Sequence, residues 1–86
     1  MREGQQRLDK WLWYARIIKS RTLATRFILD GHVRVNGVRI TQAAYAISPG
    51  DVLTIALPRT TLVIEVLAPG LRRGPAKEAG LLFKSK

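Results

Sequence analysis

Residues 20–40 read "SRTLATRFILDGHVRVNGVRI", and the fold turns on how this stretch divides. Ser20 is a good N-cap, because its hydroxyl can take up a backbone N–H left free at a helix start. No Glu sits three residues later, so the capping box is incomplete. "RTLATRFILD" then reads as a helix. Its apolar stripe is Leu23, Ala24, Phe27 and Ile28, and its polar stripe is Arg21, Thr22, Thr25 and Arg26. Gly31 suits a left-handed C-terminal cap. "VRVNGVRI", Val33 to Ile40, follows as a hairpin. Asn-Gly between β-branched runs supplies the two positive φ angles of a type I′ turn. The register then sets Val35 opposite Val38, Arg34 opposite Arg39 and Val33 opposite Ile40. Val33, Val35, Val38 and Ile40 are expected to share a buried face. Two arginines are left side by side in solvent, where like charges cost a few tenths of a kcal/mol.

Upstream, "LDKWLWYAR" places Leu8, Trp11, Leu12 and Ala15 on one side of a first helix. "IIKS" breaks the pattern before Ser20. Downstream, "TQAAYAI" is weakly patterned and "SPGD" is a turn around Pro49 and Gly50. "VLTIAL" and "LVIEVLA" read as a second hairpin closed by "PRTT". "LRRG" is a basic loop, and Pro75 opens a short last helix, "AKEAGLLF", as its first residue. The expected architecture is α+β: two N-terminal helices packed on a small, mostly antiparallel sheet, with a short C-terminal helix.

Charge carries the functional signal. The 86 residues include 15 Lys and Arg against 6 Asp and Glu, a net +9. Residues 1–40 carry +6 of it (nine basic, three acidic), residues 41–71 carry −1, and residues 72–86 carry +4. Such a field favours polyanions, nucleic acid before anionic membrane. The chain has no cysteine and one histidine, so disulfides and a metal site are not expected. "MREGQQR" leads into no apolar run, and no stretch nears the roughly 18 apolar residues of a membrane span. A soluble, cytoplasmic protein is expected. No phosphate loop, nucleophile or carboxylate pair is evident. Asp9, Asp30, Asp51 and Glu65 read as caps and surface partners, His32 as a polar contact, and the chain as no enzyme, with no cofactor.

The second helix is better matched to an anion. Arg21 and Thr25 fall on one edge and Thr22 and Arg26 on the next, guanidinium forks interleaved with hydroxyls. Lys19, Ser20 and Arg21 stand at the helix start, where free N–H groups and the dipole already favour negative charge. Before Asp30 the helix has no acid to neutralise this face by i,i+4 pairing. Trp11 belongs to the core stripe. Trp13 and Tyr14 point elsewhere, beside Lys10 and Arg16, and two readings of Trp13 stand level: stacking on unpaired bases or packing within the fold.

These motifs resemble a known family. "RLDKWLWYARIIKSRTLATRFILDGHVRVNG", Arg7 to Gly37, is similar to the S-four-type RNA-binding domain, the αL motif. The match runs through Arg7-Leu8-Asp9-Lys10, Ser20-Arg21, Ala24, Ile28 and Gly31-x-Val33-x-Val35-Asn36-Gly37, and "SPGDVLTI" fits the later strand. The paired tryptophans, with "RRGPAKEAGLLF", resemble more narrowly the fifteen-kilodalton ribosome-associated heat-shock proteins of bacteria. That family typically continues into a long basic C-terminal tail. The resemblance implies a flexible start over residues 1–6, an RNA-binding domain over 7–70 with an αL core over 7–57, and a basic extension over 71–86.

It also implies binding of structured ribosomal or transfer RNA by phosphate and shape, with Arg7, Lys10, Arg16, Lys19, Ser20, Arg21, Thr25, Arg26, Arg34, Asn36 and Arg39 as the contacts. Asn36 has a second reading as a turn residue, and Arg72 and Arg73 form a second basic spot. The implied partner is the large ribosomal subunit carrying a nascent chain on transfer RNA, in stress-related recycling, with the chain a monomer. A different class of reading makes the chain an accessory domain that brings an RNA-modifying enzyme, supplied by another chain, to its substrate.

Overall fold

The computed structural model describes residues 4–86. Helix α1, Leu8–Tyr14, buries Leu8, Trp11 and Leu12, with Ala15 just beyond its end, which is the expected stripe. Trp11 can be buried because its indole N–H donates to the Ala68 carbonyl at 2.9 Å. Its ring meets Phe83 edge-on at 6.2 Å. The chain then turns through Arg16, at φ 57°, and returns Ile18 to the core.

Helix α2, Arg21–Leu29, starts where Ser20 Oγ accepts from the Leu23 N–H at 3.1 Å. Ala24 and Ile28 are buried. Leu23, expected in the core stripe, is 47% exposed, and Phe27 is only half-buried. The stripe is narrower than the helical projection suggests, and its Leu23 flank opens onto a groove.

Strands β2, Val33–Val35, and β3, Val38–Arg39, form the expected hairpin. Asn36 (φ 51°) and Gly37 (φ 84°) both take the left-handed conformation that the turn demands. Arg34 pairs with Arg39 and Val35 with Val38, and the Ile40 N–H continues the ladder to the Val33 carbonyl at 3.0 Å. Only Val33 and Val35 are buried. Val38 is 62% exposed, because β3 is the sheet's edge.

Three further strands, β5 (Val52–Ala56), β6 (Thr61–Val66) and β7 (Phe83–Ser85), complete a five-stranded sheet ordered β3-β2-β5-β6-β7, antiparallel throughout. β5, Val52–Ala56, and β6, Thr61–Val66, are the expected second hairpin. Buried Leu53, Ile55, Ile64 and Val66 meet the two helices in one core with Leu8, Trp11, Leu12 and Ile28. The fold is α+β, as expected.

Both ends of the chain are more structured than the sequence suggests. Strand β1, Gln6–Arg7, pairs with β4, Ala46–Ile47, so Gln6 does not belong to a flexible start. Its side-chain amide also clasps Gly70, donating to the carbonyl at 2.8 Å and accepting the N–H at 2.9 Å. Residues 1–3 of that expected segment lie outside the described residues. At the other end, Pro75 is the N-cap, not the first residue, of α3, which is a single turn over Ala76–Ala79. The sequence after it forms β7, Phe83–Ser85, on the edge of β6. Within the basic segment 71–86, Phe83–Ser85 thus add the last strand to the sheet. Lys86 Nζ and Lys84 Nζ reach Glu65 at 3.2 and 3.9 Å, which favours the strand over further helix.

Candidate nucleic-acid interface

The site is organised by a residue that sequence reasoning treated as incidental. Asp9 is 2% exposed. The Arg7 guanidinium grips its carboxylate with both prongs, Nε at 3.1 Å and Nη2 at 3.0 Å. The Lys10 N–H donates to it at 2.8 Å. Thr25 Oγ1 lies 3.2 Å away and Arg21 Nε 3.8 Å away, both on α2. One buried anion therefore ties the starts of α1 and α2 together and fixes two guanidiniums at the surface. The sequence signal available was an acid between Arg7 and Lys10 in a strongly positive segment; its α2 partners appear only in three dimensions.

Thr25 turns inward, with its hydroxyl shared between Asp9 and the Arg21 carbonyl at 3.1 Å. Its hydroxyl ties α2 to the Asp9 cluster. Ser20 caps the helix, and among the described residues its own O–H donates to no partner. Lys19 and Arg26 are exposed and, among the described residues, meet no acidic side chain.

The hairpin joins this helix at its far end. Gly31 has φ 82°, and a Cβ there would lie 3.2 Å from Arg39 Cδ. The glycine thus provides both the left-handed cap and the space in which the Arg39 stem lies. Arg34 stands directly opposite Arg39, both exposed, with no acidic partner among the described residues. Asn36 takes the turn position, the second of its two readings. Its Oδ1 accepts from the Val52 N–H at 2.9 Å and its Nδ2 donates to Asp51 at 3.2 Å, which ties the turn to the start of β5.

Residues 6–53 match the family model described as "S4 domain", more than half of the chain. The chain belongs to the S4 domain family. Heat shock protein 15 of Escherichia coli (strain K12) is 38% identical over 78 residues, 91% of this chain and 58% of that protein. The Haemophilus influenzae homolog is 34% identical over 84 residues, 98% of this chain and 63% of that protein. Small ribosomal subunit protein uS4 of a Bradyrhizobium strain is 33% identical over 63 residues, 71% of this chain and 31% of that protein. Among solved structures, Vibrio cholerae heat shock protein 15, described as trimeric, superposes with a TM-score of 0.89 at 32% identity, covering 95% of this chain and 82% of that one. The chain spans about three-fifths of the length of the heat shock protein 15 relatives it matches.

The remaining candidates lie at the other end of α1 in this S4 domain, about 10 Å along the helix axis from Arg7. Arg16 Nε donates to the Gly74 carbonyl at 2.6 Å. Arg73 lies over the Trp13 ring at 5.7 Å and reaches the Trp13 carbonyl at 3.4 Å. Arg72 pairs with Glu78 at 2.9 Å. These three arginines strap the 72–78 segment to α1 and to itself, so they form a separate spot. Trp13 is half-buried: it stacks on Tyr14 at 5.5 Å, and Lys10 sits over the Tyr14 ring at 5.5 Å. Among the described residues no three His, Cys, Asp or Glu come together as metal ligands would, and no helix is long and apolar enough to cross a membrane.

Proposed function

We propose that this S4 domain binds structured ribosomal or transfer RNA through phosphate and shape contacts, as a cytoplasmic, ribosome-associated protein. The observation that carries the reading is the chain of basic side chains from the Asp9 cluster to the hairpin. Arg7 and Arg21 are preset by one buried carboxylate, while Lys19, Arg26, Arg34 and Arg39 make no ion pair among the described residues. The N–H groups that Ser20 leaves uncapped at the start of α2 favour an anion beside Lys19 and Arg21. A-form RNA is recognised mainly by its backbone and shape, and this surface is rich in phosphate ligands and poor in base-reading amides.

The likeness to heat shock protein 15 supports a finer reading: binding of the large ribosomal subunit that still carries a nascent chain on transfer RNA, in stress-related recycling. Sedimentation with separated ribosomal subunits, with and without peptidyl-tRNA, tests this; recovery with the small subunit alone refutes it. Sedimentation equilibrium of the free chain decides between the expected monomer and a trimer such as that described for the Vibrio cholerae protein.

The broader reading has its own measure. If about five side chains neutralise phosphates, log affinity falls against log salt with a slope of roughly −3.5 to −4.5. Replacing Arg21 by Gln should flatten that slope by about one unit. A slope near zero in the parent chain overturns RNA binding by this surface.

A further inference from the structure

The aromatic residues of this domain are used in different ways. Trp11 and Phe83 meet edge-on against the core. Trp13 and Tyr14 stack on each other, with Arg73 over one ring and Lys10 over the other. Phe27 and His32 differ from both pairs. Their rings lie 4.8 Å apart, tilted by 45°, and they line an open groove of about 580 Å³ beside α2. Its apolar wall includes Ile17, Leu23 and Leu57, and Leu23 leaves 47% of its surface to solvent. Lys19 and Arg26 are its cations. Its one carboxylate, Asp30, makes no ion pair or side-chain hydrogen bond among the described residues.

We propose that this groove receives one unpaired nucleobase of an RNA held on the α2 surface, with that nucleotide's phosphate at Lys19 and Arg26. The inference rests on the RNA-binding reading and names what that reading leaves open, a contact to a base. A nucleobase is a flat apolar face attached to a phosphate, and the groove pairs aromatic and aliphatic walls with two uncommitted cations. Unstacked bases are held in this way, on Phe or His rings, wherever proteins take up unpaired nucleotides. Lys19 precedes the Ser20 cap and Arg26 lies one and a half turns along α2, so the groove opens beside the phosphate surface. Asp30 disfavours a phosphate near it, which sends the phosphate to the cations and leaves the ring pair to the base. An apolar segment of a second copy would cover Leu23 but leave Lys19 and Arg26 unneutralised.

The test uses the full chain and two RNAs: a stem–loop with one bulged adenosine, and the same RNA with an abasic site at the bulge. Removing the base should weaken binding to the parent chain about tenfold, the scale of one base–aromatic stack. In His32→Ala and in Leu23→Asp, both changes at exposed side chains, that penalty should shrink below about twofold. Equal affinity of the parent chain for the two RNAs overturns the groove, while a steep salt slope for both leaves RNA binding standing. A penalty that persists in both variants also overturns it. Loss of salt-dependent binding to either RNA removes the underlying reading and the groove with it. A smaller sedimentation coefficient of the RNA-free Leu23→Asp chain would make the groove an interface between copies, which also overturns the proposal.

Discussion

Arg7 and Arg21 at the helix starts and Arg34 and Arg39 on the hairpin are two solutions to one problem, holding a pair of guanidiniums at a surface. The first pair shares a buried carboxylate, with Arg7 bidentate and Arg21 at 3.8 Å. The second pair is set by backbone register, each arginine opposite the other across the ladder, with the Arg39 stem lying over Gly31. An acid fixes direction but cancels charge. Register keeps the full charge and leaves the two guanidiniums exposed and mutually repelled. A polyanion gains from both: a rigid fork to set its orientation, and an uncompensated field to attract it.

If Asp9 sets the first pair, removing its charge should have the largest effect on the free chain. Asp9→Asn leaves Arg7 without its counter-charge and fits poorly between donors on two helices. Breaking a fully buried pair costs about 3–5 kcal/mol. The Arg7 side chain is 42% exposed, and water takes up part of its charge, so about 2–3 kcal/mol is expected here. For a domain of this size that lowers Tm by roughly 10–20 °C. Urea unfolding checks the figure, and a variant as stable as the parent would show that the carboxylate does not hold the helices together.

Arg73 sharpens the comparison from a third position, because its guanidinium is spent inside the molecule. It covers the Trp13 ring and reaches the Trp13 carbonyl. Arg73→Ala should destabilise the chain by about 0.5–1 kcal/mol and leave the salt slope of RNA binding unchanged. A slope flatter by about one unit would mean that Arg73 also meets a phosphate.

What could be read from the sequence follows from how local each feature is. The hairpin register and the Ser20 cap are set within a few residues, and both appear where the sequence places them. Strand β4 finds its partner 40 residues away at β1, and β7 finds its own across the loop and turn after β6. Local patterning carries little of either, so "GLLF" reads as helix until β6 offers an edge. Asp9 was hidden for the same reason, since its α2 partners stand 12 and 16 residues away. Leu23 was misplaced because a helical projection gives the direction of a side chain but not the width of what packs against it. The resemblance puts Arg16 among the contacts with Arg34 and Arg39, and positive charge makes Arg72 and Arg73 a second basic spot. Charge alone does not tell an arginine bound to a carbonyl or carboxylate of its own chain from one left facing solvent.

The hairpin pair should have the smallest effect on stability and a large one on binding. Arg34→Thr with Arg39→Thr removes two like charges set directly opposite and supplies β-branched residues suited to a strand. The free chain should gain a few tenths of a kcal/mol, read as a slight rise in the urea midpoint with an unchanged m-value. RNA affinity should fall, and the salt slope should flatten by roughly two units if both arginines meet phosphates. The two measurements pull apart the two meanings of the pair. A variant that loses stability would show that the Arg39 stem over Gly31 contributes packing that outweighs the repulsion. A more stable variant with unchanged slope would show that the repulsion is real but that no phosphate ever relieves it. Only a gain in stability together with a flatter slope makes the opposed arginines what their register suggests: a small cost to the free fold that a bound anion converts into attraction.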